Sequence, residues 1–151
     1  MTYLSKHPSS DPADALPSPE EAPPVRTVAV LRQRWRSIMG TEGFDERSVW
    51  LIWFDESGTQ LPVMVPLDGL PEHLDEATLS GFITIAGVAR NNGARSLAMA
   101  LSRPGLGDVT EVDARLARTL LGASRSLDLE MWPMHLATRN SVRQFTVDDL
   151  V

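Results

Sequence analysis

Residues 101–113 read LSRPGLGDVTEVD. An apolar run ends at Leu101, and Pro104-Gly105 followed by Gly107 makes a loop that no helix interior tolerates. Thr110-Glu111-Val112-Asp113 then has the form of a helix start, with Thr110 as N-cap and acids in the positive first turn. Strand, Pro-Gly loop and capped helix in this order form a building unit of α/β folds.

Upstream, residues 96–101 (SLAMAL) are short and flanked by breakers, which favours a strand. Before it, Asp75 can cap a helix running to about Asn91, with Leu79, Phe82, Ile83, Ala86 and Val88 or Ala89 as its stripe. Gly81 and Gly87 weaken that helix, and Asn91-Asn92-Gly93 ends it. Residues 66–73 are read as a loop punctuated by Pro66, Gly69 and Pro71. Ser48–Phe54 (SVWLIWF) is nearly all apolar and rich in aromatic and β-branched residues, as in a strand covered on both faces. The turn residues DESGT at 55–59 and the β-pattern LPVMV at 61–65 complete an antiparallel hairpin, with Pro62 placing the second strand at an edge. A first helix over residues 27–39 buries Val28, Leu31, Trp35 and Ile38 and stops at Gly40.

Downstream, the helix opened by Thr110 turns Val112, Leu116, Leu120, Ala123 and Leu127 inward and Arg115, Arg118 and Arg125 outward. Residues 129–135 and 142–145 read as two closing strands, joined by a turn at 138–141. The order α-β-β-α-β-α-β-β predicts a three-layer α/β/α domain with a mixed sheet.

The chain has 151 residues, enough for one ordinary domain with its own core. Residues 1–24 consist mainly of Pro, Ser, Ala, Asp and Glu; they are expected to be a disordered acidic tail before a domain at 25–151. There is no cysteine, which removes disulfides, thiolate metal sites and thiol nucleophiles. No apolar run approaches the roughly 18 residues of a membrane span, and the N-terminus lacks a signal-peptide core, so a cytoplasmic protein is expected. A formal net charge of −6 disfavours nucleic acid and anionic membrane as general partners.

Common catalytic signatures are missing. There is no G-x-S-x-G elbow, no Ser-x-x-Lys start, no Walker loop and no dinucleotide fingerprint. His7, His73 and His135 are too far apart along the chain for a local ligand pair, and His135 reads as a structural histidine at a strand end.

The stretch 101–113 also resembles the zinc motif of the JAB/MPN (JAMM, RadC-like) metal hydrolases. That family has the same element order. Its motif runs His-x-His-Pro, a short loop, then Ser-x-x-Asp, where the two histidines and the aspartate hold zinc and a glutamate on an earlier strand acts on the bound water. Here Leu101 and Arg103 stand at the histidine positions, Pro104 matches the proline, Thr110 stands at the serine with a loop one residue shorter, and Asp113 matches the aspartate. His135 corresponds to a downstream histidine that is not a ligand in that motif. The resemblance implies a JAB/MPN (cytidine-deaminase-like) fold. It also implies a degenerate site, since leucine offers no donor and arginine repels a cation. A catalytic zinc needs about three protein ligands. The expectation is therefore no metal, no cofactor and no hydrolase activity. Arg103 can instead pair with Asp108 or Asp113 and fill the vacated place with an ion pair, while Thr110 and Asp113 serve as a helix cap.

In that family, members without metal act as scaffold partners. The resemblance thus implies an inactive protein-interaction module, possible self-association included. Arg32, Arg36 and Trp132 are the candidate interaction residues: Arg26, Arg32, Arg34 and Arg36 make the first helix basic, and Pro133 in LEMWPM suggests an exposed sheet edge. Two alternatives remain open. One is a hydrolase with a site assembled from Asp113, His135 and Asp55 or Glu56. The other is an accessory role in DNA repair.

Overall fold

The computed structural model describes residues 21–151. Residues 1–20 of the expected tail, His7 among them, lie outside the described residues. Order is established by Val25, which is buried and donates its N–H to the Gly58 carbonyl at 2.8 Å. Gly58 is required there twice over. Its φ is +85°, and a Cβ would sit 2.6 Å from the Val25 carbonyl.

Helix α1 (Val28–Met39) is capped by Thr27, whose side chain accepts from the Val30 N–H, and ends at Gly40 with φ +67°. Strands β1 (Ser48–Phe54) and β2 (Gln60–Asp68) form an antiparallel hairpin. Helix α2 (Glu76–Gly87) is capped by the Asp75 carboxylate and tightens into a 3-10 turn, Val88–Asn92, closed by Gly93 in the left-handed region. Strand β3 (Ser96–Ser102) leads through the Pro-Gly loop to α3 (Glu111–Ser124). The chain closes with β4 (Glu130–Met131), β5 (His135–Thr138), β6 (Ser141–Gln144) and a last 3-10 turn, Asp148–Leu150.

The sheet order is β2-β1-β3-β5-β6, with β4 also paired to β3. β3 runs antiparallel to β1 and parallel to β4 and β5, so the sheet is mixed, in an α/β domain with three α-helices. Alternation along β3 divides the core. Leu97, Met99 and Leu101 face α2 and α3 with Val49, Leu51, Phe82, Leu116 and Leu120. Ala98 and Ala100 face α1 with Ile52, Phe54, Leu31 and Trp35. The small side chains on that second face leave room for the Trp35 ring, which is fully buried. Among the described residues no helix is long and apolar enough to cross a membrane.

Three sequence expectations change. The segment 129–135 is not one strand. It breaks at Trp132–Met134, because Pro133 cannot donate to a ladder, and resumes as β5 through Thr138. β5 is interior, with β3 on one side and β6 on the other, whereas β4, the strand within LEMWPM, pairs with β3 alone. β2 continues past Val65 through Pro66, which an edge strand tolerates, and its register slips between the Ile52–Met64 and Phe54–Gln60 pairs, around Pro62. In α3 the fully buried set is Asp113, Ala114, Leu116, Ala117, Leu120 and Ser124, while Val112, Ala123 and Leu127 are only half-buried.

Candidate functional site

β3 presents Leu101 on the face toward α3, and Arg103, one residue past the strand's end, follows two positions later on the same side. Leu101 is fully buried among the apolar side chains of that layer. Arg103 is only 6% exposed, and each of its guanidinium nitrogens makes a hydrogen bond. Nε donates to both carboxylate oxygens of Asp113 at 2.9 Å. Nη1 donates to the Pro104 carbonyl at 3.1 Å and Nη2 to the Asp108 carbonyl at 3.0 Å. Gly105 and Gly107, at φ +89° and +101°, let the loop curl so that these carbonyls face the guanidinium.

Asp113 is 1% exposed. Its Oδ2 also accepts from the Thr110 N–H at 2.9 Å, and Thr110 Oγ1 accepts from the Asp113 N–H at 3.2 Å. The result is a capping box whose acid is simultaneously the counterion of a buried arginine. These residues do not fit a metal. Leucine has no donor, arginine carries the cation's own charge, and both oxygens of the one matched carboxylate are taken. Among the described residues no group of three His, Asp or Glu side chains could hold an ion.

His135 lies elsewhere. It pairs in register with Ala100, so it shares the α1 face with Ala98, Ala100 and Ala137, whereas Arg103 and Asp113 lie on the α3 face. The ring is fully buried. Nδ1 is 3.1 Å from the Pro133 carbonyl, which can only accept, so Nδ1 carries the proton and Nε2 remains buried without a partner. Burial pushes the pKa down to about 4; the Pro133 carbonyl opposes this and the Arg32 charge adds to it. The imidazole is thus neutral around pH 7.

Asp55 and Glu56 sit at the opposite end of β1 from the Arg103 loop, since Ser48 pairs with Ser102 and Phe54 with Ser96. The Asp55 carboxylate is occupied by the turn itself. It accepts from the Ser57 hydroxyl and from the N–H groups of Ser57 and Thr59, and these bonds hold its pKa below the usual range. The structure therefore does not bring Asp113, His135 and Asp55 or Glu56 into one pocket: a sheet layer separates the first two and the length of a strand separates the third.

The interaction candidates are partly committed to the fold. Arg32 Nε donates to the Val142 carbonyl at 2.8 Å. Arg34 binds Gln60 and the Pro23 carbonyl, and Arg26 the Ser57 carbonyl. Arg36 stays exposed in the last turn of α1. Trp132 is half-buried, donates to Ser96 Oγ at 3.0 Å and meets Phe54 edge to face at 6.2 Å. Trp50 makes the matching bond to Ser102 at the other end of β3, a pairing that nothing in the linear sequence signals. Exposed His73 belongs to the loop before α2.

Sequence reasoning also missed a groove of about 300 Å³ between the end of β2 and α2, lined by Leu67, Leu70, Leu74, Gly81, Phe82 and Ile85 among others. The one local signal was a glycine inside a helix. Compared with known proteins, the chain matches no family model and no curated sequence.

Proposed function

We propose that this domain is a non-catalytic relative of the JAB/MPN hydrolases that acts in the cytoplasm by binding another protein. The observation that carries the reading is the Arg103–Asp113 clasp. At the place where the resemblance puts zinc, a guanidinium bridges the carboxylate and two loop carbonyls, and all three of its nitrogens and both carboxylate oxygens are hydrogen-bonded within the fold. A pair buried this deeply rigidifies the loop rather than awaiting a ligand.

The hydrolase alternative loses its support, because its residues lie on opposite faces and at opposite ends of the sheet. A DNA-directed role is also disfavoured. α1 and α3 cover different faces, so their arginines cannot merge into one patch, and Arg26, Arg32 and Arg34 already bind backbone or side-chain oxygens. Strand addition at the β2 and β6 edges is a poor route for a partner. Pro62 and Pro66 lack donors on the β2 edge, and Arg32 occupies the Val142 carbonyl on β6. Self-association by sheet extension is disfavoured for the same reason.

The test is zinc content. The wild-type chain is expected to retain none after chelator washing. A folded Leu101→His/Arg103→His variant is expected to gain about one zinc per chain, as a restored three-ligand site would, and to lose it on adding Asp113→Asn. Stoichiometric zinc in the washed wild type overturns the non-catalytic reading. A folded double variant that takes up no zinc removes the family assignment.

A further inference from the structure

The groove beside α2 is built unlike the rest of the surface. Its floor is core: Val49, Phe82 and Leu120 are each at most 3% exposed. Its walls are the half-buried Leu67, Leu70, Leu74 and Ile85. The segment 68–76 (DGLPEHLDE), which supplies Asp68, Gly69, Leu70, Pro71 and Leu74 to the lining, also carries Glu72, Asp75 and Glu76; all four acids are exposed, and the segment has no Lys or Arg. Half-buried Arg47 is tied to this segment through its backbone, its carbonyl taking the Leu70 N–H. An apolar trough bordered by a segment whose only charged side chains are acids is suited to a ligand with apolar anchors and positive flanks.

Gly81 is the second observation. It sits in the middle of α2, where glycine is about 1 kcal/mol worse than alanine. Its backbone is ordinary helix, and a Cβ there would meet nothing within 4 Å. Nothing inside this fold therefore calls for a glycine. Its missing side chain only leaves the groove wall bare, as close approach by a second backbone requires.

We propose that this groove is the docking site for a basic amphipathic segment of a partner protein, with its apolar face against Leu70, Leu74 and Phe82 and its Lys or Arg side chains against the 68–76 acids. This rests on the reading of the domain as a protein-binding module and supplies the partner's chemistry. The groove-in-helix mode needs no free sheet edge, which agrees with the blunted β2 and β6.

The experiment uses the full chain and a labelled helical peptide with leucines on one face and lysines on its flanks. Its twin carries glutamates in place of the lysines. Fluorescence anisotropy is expected to show micromolar binding of the lysine peptide and binding at least about tenfold weaker for the twin. Amide shifts on binding should concentrate in residues 67–85. Gly81→Leu fills the groove, keeps the net charge and favours helix, so it should abolish binding without loss of stability; Gly81→Ala should weaken it. No binding, equal binding of the twin, undiminished binding to Gly81→Leu, or shifts centred on α1 overturns the proposal. None of these outcomes touches the zinc test, so failure of the groove and failure of the non-catalytic reading remain distinguishable.

Discussion

The sheet buries an ion pair on its α3 face and a lone histidine on its α1 face, and the two are accommodated by opposite means. Arg103 and Asp113 are each other's counterion, and two loop carbonyls and the Thr110 N–H add further hydrogen bonds. His135 has no carboxylate beside it, only the Pro133 carbonyl and the like charge of Arg32, so it is tolerated by being neutral. Burying a polar group demands either a full set of partners or loss of charge. The clasp is therefore the more brittle of the two at neutral pH, and the histidine the more brittle in acid.

The largest expected effect follows from breaking one half of the clasp. Asp113→Ala leaves the Arg103 guanidinium buried and unpaired, which costs about 3–5 kcal/mol. Urea unfolding at pH 7 should show the midpoint falling with an unchanged slope. Asp113→Leu combined with Arg103→Met should recover most of that loss, because replacing a whole buried pair by apolar side chains is often neutral. If the double variant is as unstable as Asp113→Ala, the clasp is not the source of the effect.

His135 sets the second prediction. Its folded pKa is about 4, against about 6.5 in an unfolded chain. Between those values the unfolded state binds more protons, so stability is full above about pH 6.5, declines as pH falls, and levels off below about pH 4. The shift corresponds to a loss of up to about 3 kcal/mol. Isothermal denaturation from pH 7 to pH 4 should show that slope in the wild type and a flatter one in His135→Phe, with other titrating groups common to both. Parallel slopes would place the acid sensitivity elsewhere.

How much of this was legible in the sequence depends on whether a feature is local. Asp75 and Thr110 cap the helices that their positions suggested, because a cap is read from its own neighbours, while Thr27, read as the first residue of α1, is its cap. Ser48–Phe54 is one strand because the six apolar residues after Ser48 have no polar face to offer water. The break at Pro133 and the return to strand at His135–Thr138 depend on which groups β3 offers as partners, and that is a long-range property. The same holds for the faces. Whether His135 and Asp113 meet is decided by pleat parity across β3, where a shift of one residue reverses every side chain. The Leu101, Arg103 and Asp113 spacing was visible, but the convergence of Pro104 and Asp108 carbonyls on one guanidinium needed the loop's two left-handed glycines in place. Gly81 was visible as a weak point of α2, without any indication of the trough it borders.

The smallest effect separates two roles that coincide in Asp113. As a helix cap it belongs to a reciprocal box with Thr110; as a counterion it belongs to Arg103. Thr110→Ala removes only Oγ1, the acceptor for the Asp113 N–H, and leaves the carboxylate bound to Arg103 and to the Thr110 N–H. Loss of an N-cap hydroxyl costs about 1 kcal/mol, and Thr110→Ser should restore it. If Asp113 mattered only as the acidic partner of the box, Asp113→Ala would cost about as much as Thr110→Ala, since each removes one capping bond of similar worth. A ratio well above one, measured in the same urea titrations, isolates the arginine's share. Comparable losses would reduce the clasp to an ordinary cap and take with it the claim that this loop is held shut from beneath.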